Sequence, residues 1–96
     1  MIVQFELFGY FRAMAGERNK VLELPKISGI RLSEALHLLD EDFRKKGFSM
    51  IKDGELKTGI LVFQRSEGGK TTRLDPEDEI TGEAPVIILS NLMEGG

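Results

Sequence analysis

Gly95-Gly96 closes the sequence, a diglycine preceded by a short lead, Ser90-Asn91-Leu92-Met93-Glu94, and by the apolar run Val86-Ile87-Ile88-Leu89. Glycine has no Cβ, so two in succession make a slim, unhindered peptide around which a second protein's narrow active site can close, with the main-chain carboxylate leading. With a reference pKa of about 3.5, that carboxylate is ionised at neutral pH. It is a poor acyl donor until it is energised. The expectation is therefore that Gly96 is the functional residue through its α-carboxylate, with Gly95 keeping the approach clear. A second diglycine, Gly68-Gly69, lies between Glu67 and Lys70 and joins two extended stretches, where a hairpin turn needing positive φ accounts for it.

No other residue set offers comparable chemistry. Cysteine is absent, which removes disulfides, thiolate metal sites and cysteine nucleophiles; any sulfur the protein handles must come from outside. The one histidine, His37, falls beside Asp40 and Glu41 without a second imidazole, and reads as a surface residue. The acidic run Asp75-Pro76-Glu77-Asp78-Glu79 lacks the spaced glycine and terminal glutamate of an EF-hand and reads as a solvated turn, so no metal site is expected. With no nucleophile beside a base and no phosphate-cradling loop, the chain is expected to serve enzymes as a substrate or subunit, not to be one.

Charge narrows the partners further. Thirteen Lys and Arg against sixteen Asp and Glu give a net charge of −3, which argues against a nucleic-acid or anionic-membrane surface. The cationic run Arg44-Lys45-Lys46 complements the negative end of a helix dipole. No apolar run approaches the roughly 18 residues of a membrane span, and the N-terminus lacks the charged and apolar blocks of a signal peptide, so a cytoplasmic protein is expected.

The elements that must hold the diglycine follow from periodicity. Val3, Phe5 and Leu7 alternate with Gln4 and Glu6 over a strand at residues 2–8, and Tyr10 to Ala15 has a short helical character closed by Gly16. Lys20 to Leu24 reads as a second strand ended by Pro25. The main helix spans about Arg31 to Lys46, with Leu32, Ala35, Leu36, Leu39 and Phe43 on one stripe and Gly47 as a left-handed cap. Residues 48–58 read as a loop with an Asp53-Gly54 turn and an apolar anchor at Phe48, Met50 and Ile51. Strands follow at Gly59 to Arg65, at Lys70 to Leu74, polar enough for an edge, and at Pro85 to Ser90. The order strand, strand, helix, strand, strand, strand suits an α+β arrangement, a mixed sheet of about five strands packed by one main helix. With 41 % apolar residues and no repeat or linker, residues 1–96 are expected to form one domain with a flexible tail at about 91–96.

Phe8 to Gly16, the Leu-Glu-Leu-Pro strand end at residues 22–25, the Leu-Ser-Glu-Ala-Leu helix start at residues 32–36 and the closing diglycine together resemble the molybdopterin-synthase small subunit, MoaD. The resemblance covers nearly the whole chain, and the order of elements carries it with the ending. MoaD, the thiamine sulfur carrier ThiS and the small archaeal modifier proteins share a ubiquitin-like β-grasp fold, which the resemblance implies here. It also implies a MoeB-like or ubiquitin-activating-like adenylating enzyme that uses ATP, with no cofactor bound by the carrier itself. A terminal thiocarboxylate for molybdopterin, molybdenum or tungsten cofactor synthesis would then form, with the molybdopterin synthase large subunit as a partner. The alternative in the same family is conjugation of Gly96 to lysines of target proteins; outside it stands a non-covalent β-grasp binding module.

Partner docking is expected on apolar surface near the tail. Phe8, Leu61 and Phe63 fall on strand faces opposite the expected core, and Leu92, Met93 and Glu94 follow the last strand. At roughly 3.3–3.6 Å per residue, residues 91–96 would reach about 20 Å from that strand, leaving the body outside the partner's cleft.

Overall fold

The computed structural model describes residues 2–24, 29–80 and 84–90. Strand β1 (Ile2–Leu7) has the alternation its sequence demands, with Val3, Phe5 and Leu7 fully buried and Ile2 and Gln4 exposed. Helix α1 (Tyr10–Ala15) follows at once and is closed by Gly16, whose left-handed φ of 76° lets its amide donate to the Arg12 carbonyl. Strand β2 (Asn19–Glu23) then returns antiparallel to β1, Val3 opposite Leu22 and Phe5 opposite Lys20.

After the two-residue strand β3 (Ile30–Arg31), helix α2 (Leu32–Lys45) buries all five stripe residues, Leu32, Ala35, Leu36, Leu39 and Phe43, and leaves His37 exposed. Its first turn has no side-chain cap. The Leu32 and Ser33 amides donate instead to the carbonyls of Asp78 and Pro76, so a distant loop supplies the acceptors that a helix N-terminus needs. At the other end Gly47, at φ 93°, reverses the chain so that the Phe48 amide donates to the Phe43 carbonyl at 3.2 Å. The turn brings Phe48 onto Phe43, ring centroids 4.5 Å apart and stacked, and Phe11 of α1 completes a triangle of rings, 5.9 Å from Phe43 and 6.3 Å from Phe48.

Asp40 is the buried charged residue of this helix, 2 % exposed. Its Oδ1 accepts the Met50 amide and its Oδ2 the Ser49 hydroxyl, both at 2.7 Å, with Arg44 Nε 3.5 Å away. Desolvating a carboxylate is tolerable only when its lone pairs are met in this way. Asp40 thereby pins the segment that the sequence reading leaves as a loop. That segment is in fact a small hairpin, β4 (Ile51–Lys52) and β5 (Glu55–Leu56), turned by Asp53 and Gly54 at φ 54° and 83°, the paired positive values of a two-residue hairpin loop. Phe48 and Met50 are buried as its anchor.

Strand β6 (Ile60–Arg65), a short turn containing Gly68 and Gly69 at φ 84° and 82°, and the wholly exposed β7 (Thr71–Arg73) come next. Strand β8 (Glu79–Ile80) pairs with β3, so Glu79 belongs to a ladder and not to the expected acidic turn. Strand β9 (Val86–Ser90) completes the main sheet, ordered β2-β1-β9-β6-β7. It runs parallel to β1 and antiparallel to β6. Val3, Phe5 and Leu7 of β1, Val86 and Ile88 of β9 and Ile60 and Val62 of β6 share one hydrophobic core with the α2 stripe, each such side chain contributing about 1.5–3 kcal/mol by leaving water.

Candidate functional site: the outer sheet face at the end of β9

Strand β9 is the middle strand of the main sheet, and this decides what surrounds its end at Ser90. Ile60 stands opposite Ser90 and Leu61 opposite Leu89, so β9 ends where β6 begins. Because β9 is parallel to β1, with Leu7 beside Ile88, its end lies beside the end of β1. The Phe8 amide donates to the Ile88 carbonyl at 3.0 Å, fixing Phe8 at the same edge. Two of the expected docking residues, Phe8 and Leu61, thus flank the end of β9 from its two neighbours.

Phe63 lies two residues farther along β6 on the face turned away from α2, in line with Ile87 of β9 and Glu6 of β1. Phe8, Leu61 and Phe63 are half-buried, in contrast to Ile60 and Val62, which alternate with them and point into the core. Arg73 stands opposite Phe63 on β7, and Arg65 Nη1 lies 2.9 Å from Glu6 Oε2. The Arg18 guanidinium sits 5.9 Å from the centre of the Phe8 ring, within cation–π range. The face therefore has an apolar middle with arginines around it.

Ile87 is the member that the sequence reading leaves out. Only 6 % exposed, it is walled in by its neighbours on the outer face. The signal was available in the unbroken apolar run Val86 to Leu89, since a strand that is apolar on consecutive residues is covered on both faces. Gly95, Gly96, Leu92, Met93 and Glu94 lie outside the described residues. Among the described residues, no group of three or more His, Asp or Glu is placed to hold a metal ion, and no helix is long and apolar enough to cross a membrane.

No protein-family model and no curated protein matches the sequence. Solved structures do match in shape. The crystal structure of SAMP1 from Haloferax volcanii is similar over all of both chains, with a TM-score of 0.77 at 18 % identity. The solution structure of the Haloferax volcanii HVO 2177 protein is similar over all of this chain and 87 % of that one, with a TM-score of 0.71 at 19 % identity. A crystal structure of H. volcanii small archaeal modifier protein 1 covers 93 % of this chain and 95 % of its own, with a TM-score of 0.69 at 17 % identity. The likeness is one of fold: with its five-stranded mixed sheet and one long helix, the present chain has the ubiquitin-like β-grasp fold.

Proposed function

We propose that the protein is a ubiquitin-like carrier whose Gly96 carboxylate is activated by an ATP-dependent adenylating enzyme. A carboxylate oxygen attacks the α-phosphorus of ATP, pyrophosphate leaves, and the acyl-adenylate becomes the acyl donor that the free carboxylate is not. An external persulfide then displaces AMP, and a second thiol cleaves the acyl disulfide, leaving a terminal thiocarboxylate and an oxidised thiol pair. The absence of cysteine from the chain is consistent with sulfur supplied from outside. Gly95 and Gly96 enter the enzyme's cleft; Phe8, Leu61, Phe63, Leu92, Met93 and Glu94 form the docking surface around them. The destination of the sulfur is molybdopterin, in molybdenum or tungsten cofactor synthesis, with the synthase large subunit as acceptor, and the work is cytoplasmic.

The observation that carries this reading is the diglycine following the central strand of a β-grasp fold. A second outcome of the same activation is amide formation with lysines of other proteins. It is favoured by the likeness in shape to H. volcanii small archaeal modifier protein 1.

The experiment is incubation of the full chain with ATP, a sulfur donor and the adenylating enzyme of the same genome, followed by intact-mass measurement. A gain of about sixteen daltons, oxygen replaced by sulfur, marks the thiocarboxylate, and Gly-Gly remnants on lysines of other proteins mark conjugation. Deletion of Gly96 abolishes both, Gly96→Ala impairs them, and a C-terminal tag blocks them. A tagged chain that performs its cellular role unchanged sinks the covalent reading and leaves a binding module acting through its folded face.

A further inference from the structure

A second surface, on the helix side of the molecule, has the makings of a recognition groove. Helix α2, the β4–β5 hairpin and residues 75–77 enclose a groove of about 370 Å³, within the range of about 300–1,000 Å³ typical of ligand sites. None of its lining residues belongs to the five-stranded sheet, so it is separate from the face around Phe63. Leu36, Ile51, Leu56 and Pro76 give it apolar lining. Glu55, Asp75 and Glu77 line it too, and among the described residues no lysine or arginine does. Among the described residues these three carboxylates have no cationic partner, whereas Glu17 pairs with Lys20 and Lys46, Asp42 with Lys20, Asp40 with Arg44 and Glu6 with Arg65.

His37 adds a directional group. Its Nδ1 lies 2.7 Å from the Ser33 carbonyl oxygen. A carbonyl only accepts, so Nδ1 carries the proton and Nε2 of the neutral ring is left as an acceptor beside the groove. Of the described polar side chains there, Glu55, Asp75 and Glu77 carry negative charge, His37 offers an acceptor, and the Ser33 hydroxyl can accept as well as donate.

We infer that this groove binds a peptide segment of a partner protein that presents a lysine or arginine between aliphatic residues. Lysine and arginine bury an aliphatic stem while keeping the cation at a polar rim, which fits apolar lining edged by Glu55, Asp75 and Glu77. A small inorganic cation or a polyamine would satisfy the carboxylates and leave Ile51, Leu56 and Pro76 facing water. The inference is independent of the chemistry at Gly96, and both surfaces can be occupied at once.

The test is titration of the uniformly ¹⁵N-labelled full chain with the capped peptide Gly-Leu-Lys-Leu-Arg-Leu-Gly, in parallel with the same peptide carrying Glu for Lys and Arg, and with spermidine. The expected result is saturable shifts of the Leu36, His37, Ile51, Gly54 and Leu56 amides with the basic peptide alone. The double variant Glu55→Lys, Glu77→Lys should keep a dispersed native spectrum, since both positions are exposed, and bind about tenfold or more weakly. The inference is overturned by the absence of saturable shifts, by shifts confined to Leu61, Phe63 and Ile87, by equal binding of spermidine or the acidic peptide, or by undiminished binding to the double variant.

Discussion

Arg65 Nη1 lies 2.9 Å from Glu6 Oε2, an ion pair that reaches from β6 to β1 across the intervening strand β9. The Glu6 side chain is only 12 % exposed and the Arg65 side chain 40 %, so the pair is partly shielded from solvent. Arg65→Ala should cost about 1 kcal/mol in chemical denaturation at low salt, and the difference from wild type should shrink as salt is raised. A deficit that does not change with ionic strength would mean that the arginine acts through packing of its stem.

Asp40 carries a larger share of local stability. Replacement by Ala strands the buried Met50 amide, while the Ser49 hydroxyl keeps the Ile51 carbonyl at 3.0 Å as an acceptor, and should cost about 2 kcal/mol of unfolding free energy. Asp40→Asn, which keeps one acceptor oxygen, should cost less. Hydrogen exchange offers a second readout, because the Met50 amide should lose protection in Asp40→Ala before amides of β1 do.

Gly47 separates backbone strain from crowding. Its φ is 93°, and a Cβ built there meets nothing within 4 Å. Gly47→Ala should therefore destabilise by about 1 kcal/mol through the left-handed conformation alone, with Gly47→Asn recovering part of the loss. A much greater loss would point to a contact that the geometry does not contain.

Phe63 tests the docking face. Phe63→Arg places a charge between Ile87 and Arg73, outside the core. The expected effect is weaker association with the adenylating enzyme, measured by titration calorimetry, with a cooperative thermal transition retained. Collapse of that transition would show that Phe63 holds the fold and not a partner.

The long elements were legible in the sequence because each has enough residues to express a period. β1 shows its alternation, and α2 its stripe from Leu32 to Phe43, with Gly47 as its end. The ladders β3–β8 and β4–β5 were not legible, since strands of two residues have no period and are set by distant partners: Asp40 fixes the approach to β4, and Ile80 faces Ile30 across 50 positions of sequence. The sequence reading gives Asp40 no role of its own, because nothing local reveals that the Met50 amide will come to meet it. On the docking face, alternation in β6 placed Leu61 and Phe63 opposite the core, whereas the register that sets Ile87 between Phe63 and Glu6 required the strand order.

The placement of β9 between β1 and β6 has a mechanical consequence. A protein that grips the chain beyond Ser90 and pulls does so along the length of β9, parallel to its own ladders. Tension in that direction loads the hydrogen bonds to β1 and β6 together, in shear, whereas a strand at an edge such as β7 can peel away one bond at a time. A load on Ser90 along β9 is thus shared by two ladders at once.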